Sequence, residues 1–299
     1  MNNAKTKSYL MFISSMLIYG TIGIFRRYIP VSSALLAFIR GLMGAAVLFI
    51  FVKAKGRKIR HGIGIRNVLL LSLSGAAMGF NWILLFEAYN YTTVATATLC
   101  YYMEPTIVIL VSPLIFKEKL TAKKLICAIV SLIGMIFVSG IIKGHELQLG
   151  DVRGIGFGLG AAILYSTVVV LNKIVRVDDA YEKTIIQLLS AAVVLIPYLL
   201  LTEDFTSINL SGLSVIMIII VGIVHTGIAY ALYFGSMKEL SSQSIAVLSY
   251  IDPVSALILS AVILHEGLSM YGITGAVLII GAALFSEVKG KATQTSFPT

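Results

Sequence analysis

The sequence predicts an all-α membrane protein in which ten transmembrane helices form two inverted five-helix repeats. Three observations support this fold class: the composition, the spacing of long apolar stretches, and an internal similarity between the two halves. Of the 299 residues, 58% are hydrophobic and 12% are charged. So few polar residues cannot cover the surface of a soluble domain, and we therefore expect a lipid bilayer to surround most of the chain.

Ten apolar stretches are long enough to be helical spans, which need about 20 residues to cross a bilayer core of about 30 Å. Their hydrophobicity is continuous rather than alternating, which favours helices over the strands of a membrane barrel. In chain order the stretches are 8–25, 34–52, 68–88, 94–116, 125–142, 152–172, 184–201, 213–234, 244–264 and 270–286. The loops between them are too short to form a separate soluble domain.

The net charge of +9 is distributed unevenly over the connecting loops. Most basic residues lie near the N-terminus, in the loop from Lys53 to Arg66, in the loop from Lys117 to Lys124, and after the last stretch. Loops rich in lysine and arginine stay in the cytoplasm. We therefore expect a multi-pass protein of the cell (inner) membrane with both termini in the cytoplasm. Because the charge is explained by topology, nucleic acid is not an expected partner.

Cofactor and metal chemistry find no support in the sequence. The two cysteines, Cys100 and Cys127, lie in apolar stretches without metal-site spacing, so we expect reduced core residues. The sequence contains no G-x-x-x-x-G-K-[ST] loop, which excludes direct use of ATP by this chain. No cofactor and no metal are therefore expected.

The two halves of the chain are similar to each other. Residues 79–120 align without a gap with residues 227–268, and this alignment places Glu104-Pro105 on Asp252-Pro253. The predicted repeats are 1–143 and 144–299. Each contains five spans, an odd number, so the second repeat should cross the membrane in the opposite sense. Inverted repeats place a substrate site near the bilayer midplane, where the halves meet.

Glu104 and Asp252 are the leading candidates for a functional role. A charged side chain at the centre of a spanning helix costs about 2.5–3.5 kcal/mol on insertion scales, so such residues usually face a partner or an aqueous cavity. Proline has no amide hydrogen, so Pro105 and Pro253 should each leave a carbonyl group free one turn earlier. Two alternatives stay open: a substrate or proton site, and a structural role in hydrogen bonds between helices.

Aromatic side chains deep within the spans complete the candidate substrate site. Trp82 and Tyr230 occupy equivalent positions in the two halves, and Tyr19 and Tyr165 form a second pair. Tyr101 lies one turn before Glu104. Aromatic faces can stack on a cationic substrate, although plain packing is the alternative for each of these residues.

Polar residues within or at the ends of the spans are the remaining candidates. Asn81 adjoins Trp82. Arg40 is expected to pair with Glu87 or Glu104, or to hold a substrate carboxylate. His225 is either a hydrogen-bonded packing residue or a proton-sensitive contact, because histidine changes charge near neutral pH. Two further acids stand at helix ends, where capping is expected and a gating contact is the alternative: Glu118 and Glu266.

Two segments resemble the tandem signature of the EamA family in the drug/metabolite transporter superfamily. They are YYMEPTIVILVSPLIFKEKLT (101–121) and SYIDPVSALILSAVILHEGLS (249–269). In that family an acidic-Pro step precedes a small-and-apolar run and a Glu before a Leu-Thr or Leu-Ser turn. The resemblance extends over the whole chain. It implies a bundle of five plus five helices that exports or exchanges small metabolites, often amino acids or related compounds.

The sequence thus favours a secondary transporter and not an enzyme. The transporter is expected to move a small polar metabolite by alternating access, and a proton gradient is one energy source that would fit. One alternative is a membrane subunit that flips a lipid-linked substrate. An intramembrane aspartyl protease also uses two buried carboxylates, but the expected Tyr-Asp and Gly-x-Gly-Asp contexts are absent. The expected partners are a small-molecule substrate and the lipid bilayer, and the protein is expected to be a monomer or homodimer.

Overall fold

A computed structural model describes residues 3–56, 63–117, 120–139, 149–206, 208, 210–240, 242–267 and 269–287. This part of the chain is helical and contains no strand. Its elements are α1 (Asn3–Arg27), α2 (Ser33–Ala54), α3 (Ile65–Tyr91), α4 (Val94–Tyr101), α5 (Glu104–Phe116), α6 (Ala122–Val138), α7 (Leu149–Ile174), α8 (Ala180–Thr202), α9 (Gly212–Ile220), a π-helix (Val221–Ile228), α10 (Ala229–Ser236), a 3₁₀ turn (Met237–Glu239), α11 (Ser242–Ser249), α12 (Ile251–Ile263) and α13 (Met270–Glu287).

The helices coincide with the predicted apolar stretches. Among the described residues, seven segments are long and apolar enough to cross a membrane: α1, α2, α3, α4 with α5, α7, α8, and α9 through α10. The segment Val247–Ile263 and α13 are shorter apolar helices, and α6 has 17 residues. The chain is therefore an all-α, multi-pass membrane protein. Several parts of the sequence considered above lie outside the described part of the chain: Glu118 in the second basic loop, residues 57–62 of the first basic loop, residues 140–142 of the fifth apolar stretch, and the C-terminal residues from 288.

Polar caps fix where several helices begin. The hydroxyl groups of Ser32, Thr93 and Ser211 accept hydrogen bonds from the backbone N–H groups three residues later. Such caps satisfy donors that have no partner within the first helical turn. Each of these residues stands directly before an apolar stretch, so the start of the helix is encoded locally.

The two acidic-Pro steps each interrupt a helix. Tyr102 and Met103 separate α4 from α5, and Tyr250 separates α11 from α12. Proline cannot donate the helical hydrogen bond, but it fits well at the first positions of a new helix. Glu104 and Asp252 consequently lie in the first turns of α5 and α12, where the helix dipole favours negative charge.

Helices from the two halves of the chain pack extensively against each other. In these contacts α3 lies against α7 and α8, α2 against α8 and the π-helix, α1 against α10 and α12, and α6 against α13. Gly20 lets α1 approach α12 closely, because a Cβ atom at this position would lie 2.8 Å from the carbonyl oxygen of Asp252. The interior of the bundle is thus formed by both halves together.

The bundle has two ends, which are named here by one residue each. At the Arg27 end, Arg27 contacts Thr92 and Glu266. At the Lys173 end, the amino group of Lys173 lies 4.0 Å from the centre of the Phe116 ring. Helix α7 connects the two ends.

Candidate substrate site

Two adjoining cavities lie inside the bundle. The larger, called the Glu104 cavity, has a volume of about 470 Å³, and the smaller, called the Arg40 cavity, has a volume of about 120 Å³. Six residues line both cavities, and we call them the tyrosine partition: Tyr19, Tyr101, Tyr102, Tyr165, Tyr230 and Asp252. These residues come from both halves of the chain, so the partition stands where the halves meet.

The Glu104 cavity contains both candidate carboxylates and extends to the Lys173 end. Glu104 and Asp252 line it together with Lys124 and Lys173. The backbone carbonyl of Glu104 also accepts a hydrogen bond from the Ser166 hydroxyl at 3.3 Å. The two acidic-Pro steps, which lie far apart in the sequence, therefore reach one shared space.

Asp252 is held by a tyrosine from the other half of the chain. The hydroxyl group of Tyr102 donates a hydrogen bond to the Asp252 carboxylate, with 2.6 Å between the oxygen atoms. The Tyr102 ring in turn lies 6.4 Å from that of Tyr250, its equivalent in the second repeat. The bond links the α4–α5 break to the first turn of α12, so it joins the two interrupted helices directly.

Aromatic pairs surround this bond. The ring centres of Tyr19 and Tyr230 are 5.7 Å apart, and those of Tyr101 and Tyr165 are 5.4 Å apart. In the described part of the chain the buried hydroxyl of Tyr19 has no hydrogen-bond partner. A buried polar group of this kind usually has a partner, so the Tyr19 hydroxyl is available to a molecule in the cavity.

The Arg40 cavity adds a cationic group to the site. Arg40 is 4% exposed, and its guanidinium carbon lies 4.0 Å from the centre of the Trp82 ring and 5.4 Å from that of Phe86. Its Nε donates a hydrogen bond to the hydroxyl of Thr226 at 3.2 Å. The expected ion pair of Arg40 with Glu87 or Glu104 is wrong, since Arg40 forms none in the described residues. The packing of α2 against the π-helix instead directs Arg40 to Thr226.

Two of the predicted site residues line neither cavity. Asn81 is fully buried, and its side-chain amide donates to the carbonyl of Ala161 at 2.6 Å. His225 lies 2.8 Å from the Thr21 hydroxyl through Nε2, and its ring centre is 4.7 Å from that of Phe25. Both residues thus connect helices, and His225 has the hydrogen-bonded packing that was one of its two interpretations.

The sequence reasoning missed several residues that line the cavities. Tyr102, Tyr89 and Thr98 are among them, and Tyr233 and Tyr250 line the Glu104 cavity. A signal for one pair was present, because Tyr102 and Tyr250 are identical residues at equivalent repeat positions next to the acidic-Pro steps. Thr226, which holds Arg40, had no such signal, since its role depends on the path of the π-helix.

A polar cluster ties the halves together at the Arg27 end. Nη2 of Arg27 lies 2.7 Å from one carboxylate oxygen of Glu266 and also donates to the carbonyl of Thr92 at 3.2 Å. The other Glu266 oxygen accepts hydrogen bonds from the backbone N–H of Val94, at 2.8 Å, and from the hydroxyl of Ser260. Glu266 therefore caps the start of α4, as expected from its position at a helix end, and also binds α1.

Comparison with known proteins decides the family. The model of the EamA-like transporter family matches residues 6–140 and, a second time, residues 152–287. The chain belongs to the EamA-like transporter family. The resemblance of the two acidic-Pro segments to that family is thereby confirmed.

Related proteins include one with a transporter name. The chain is 29% identical over 294 residues to the uncharacterized transporter YxxF of Bacillus subtilis (strain 168), covering 98% of this chain and 94% of that protein. It is 25% identical over 224 residues to the protein PecM of Dickeya dadantii (strain 3937), covering 73% of each. A solved crystal structure superposes with a TM-score of 0.66 at 22% identity, covering 94% of this chain and 96% of the other, which supports the fold.

Proposed function

We propose that this EamA-like protein is a secondary transporter that exports or exchanges a small polar metabolite, such as an amino acid or a related compound. The observation that carries the proposal is the position of Asp252 in the wall between two cavities, at the start of an interrupted helix and bonded to Tyr102 of the other half. Transporter sites commonly lie between repeats, at interrupted helices near the midplane. No step in this proposal breaks or forms a covalent bond, so it describes a transporter and not an enzyme.

Alternating access is part of the proposal. We assume ten spans in two inverted repeats, with the basic loops in the cytoplasm. In this topology the Lys173 end and the Glu104 cavity would face the cytoplasm. The Arg27–Glu266 pair would then close the outer end in this conformation. Rocking of the halves about the tyrosine partition would break that pair and open the Arg40 cavity to the outside.

The candidate residues divide into two groups in this mechanism. Those that line the cavities are proposed to contact the substrate: Glu104, Asp252, Arg40, Trp82, Tyr19, Tyr101, Tyr165 and Tyr230. The other two, Asn81 and His225, are proposed to act by holding helices in position. Glu104 and Asp252 would bind a substrate amine, or exchange a proton when substrate enters, because both carboxylates line the Glu104 cavity.

The test is transport by the purified protein in liposomes. A panel of labelled amino acids, amines, organic acids and sugars is offered in a counterflow assay, with empty liposomes as the background. Glu104→Gln and Asp252→Asn keep the side-chain volume and remove the exchangeable proton. If the carboxylates couple transport to protons, these variants keep counterflow and lose accumulation driven by a pH gradient. If they bind an amine, affinity falls while the pH response stays.

The control is Asp178→Asn, at an exposed position between α7 and α8, which should transport as the unmodified protein does. Normal transport and a normal pH response in both cavity variants would show that the acids are structural. Failure of every compound to exceed the background would count against the transporter proposal itself.

A further inference from the structure

Arg40 is a buried cation whose contacts in the described part of the chain are with neutral side chains. Its hydrogen bond goes to the Thr226 hydroxyl, and the rings of Trp82 and Phe86 lie beside its guanidinium group. Arginine is rarely so deeply buried without a negatively charged partner, because its charge loses contact with water. A ligand that supplies a negative charge would therefore gain binding free energy at this position.

The surrounding structure holds the guanidinium in one orientation. The Thr226 hydroxyl donates to the carbonyl of Val221, five residues earlier, at 3.1 Å, and accepts the Nε hydrogen bond from Arg40. This spacing follows from the π-helix, a rare form that often occurs at functional sites. Gly44 on α2 keeps the space for Thr226, since a Cβ there would lie 2.3 Å from the threonine methyl group. With Nε bound and one face against Trp82, the two Nη groups are left to bind a ligand.

Other groups in the Arg40 cavity fit a small acid. The unpartnered hydroxyl of Tyr19 is a second donor for a carboxylate. Asp252, in the same cavity wall, is an acceptor that suits the amine or hydroxyl group of such an acid. A carboxylate matches the single charge and the planar, two-pronged geometry of a guanidinium group. A phosphate dianion fits less well, because one arginine would leave part of its charge uncompensated in a cavity that also contains Asp252.

We propose that the transported substrate carries a carboxylate group and that Arg40 binds this group within the Arg40 cavity, with Thr226 as its positioning residue. This inference rests on the proposed transport function. It adds the chemical class of the substrate and assigns a role to Thr226 and the π-helix.

The first experiment uses the unmodified protein and matched competitors. Each L-amino acid and 2-hydroxy acid of the panel is compared with its carboxamide and, for amino acids, with the amine that lacks the carboxylate. We expect the acids to compete at least tenfold more strongly than their amides. Equal competition by acid and amide would overturn the inference, and so would transport confined to amines or sugars, while each of these results would leave the protein a transporter. Absence of all transport would count against both proposals.

The second experiment locates the selectivity. Arg40→Gln should remove the preference for acids over amides, Arg40→Lys should retain part of it, and Thr226→Val should reduce it several-fold. Arg153→Gln, at an exposed position on α7 away from both cavities, is the matched control and should keep the full preference. If Arg40→Gln does not fold, Arg40→Lys and Thr226→Val take its place. An unchanged preference in the Arg40 variants would contradict the assignment of the carboxylate to this residue.

Discussion

The polar cluster at the Arg27 end makes one prediction that can be worked out in detail. Glu266→Gln keeps the shape of the side chain and removes its charge. In this structure one carboxylate oxygen contacts Arg27 and the other accepts hydrogen bonds from Val94 and Ser260. The change replaces one of these two oxygens by an NH2 group and removes the negative charge that attracts Arg27. We expect the variant to open at the Arg27 end more often than the unmodified protein.

The size of the effect follows from the geometry. The Arg27 and Glu266 side chains are 35% and 14% exposed, so their ion pair contributes only about 0.2–1 kcal/mol. Hydrogen bonds to a charged group contribute about 1.5–3 kcal/mol each, and the amide retains one acceptor oxygen. The closed state should therefore lose about 1–2 kcal/mol of stability relative to the open state. This loss corresponds to a roughly 5- to 30-fold rise in the population of the open state.

The assay measures access to the Arg40 cavity from outside. Ile22, which lines that cavity, is replaced by cysteine in a protein that carries Cys100→Ala and Cys127→Ala. The labelling rate with a membrane-impermeant thiol reagent should rise about 5- to 30-fold when Glu266→Gln is added. Glu87→Gln is the matched control, because the side-chain hydrogen bond described for Glu87 is with Asn90 of the same helix. Equal labelling rates in both variants would refute this account of the closed end.

Three further predictions follow from the site and the topology. Tyr102→Phe removes the donor to Asp252 and should weaken substrate binding about 2- to 10-fold, whereas Tyr198→Phe, at an exposed position on α8, should not; equal KM values in counterflow would contradict the role of the bond. Gly20→Ala should lower the Tm and the transport rate, because its Cβ meets the Asp252 carbonyl, whereas Gly156→Ala, which has open space, should not. Cysteines at Gly62 and Thr206, in the background lacking native cysteines, should react from opposite sides of the membrane; labelling of both from outside would exclude the proposed topology.

The sequence by itself determined the membrane class, the helical content and the family. In the described part of the chain, a helix overlaps each of the ten apolar stretches, because a chain in lipid must satisfy its backbone hydrogen bonds within each segment. The acidic-Pro steps marked both helix interruptions, since proline prevents the same hydrogen bond wherever it occurs in a helix. Both acids stand at these steps, and in the structure both line the Glu104 cavity.

The tertiary structure decided which side chains meet. Tyr102 reaches Asp252, Arg40 reaches Thr226 instead of a carboxylate, and Arg27 reaches Glu266. In each pair the partners are far apart in the sequence and come from different halves of the chain. Such contacts depend on how each helix is rotated and placed against its neighbours, which packing between the two halves fixes. Hydrophobic periodicity cannot supply that rotation here, because helices in lipid are apolar on most of their surface.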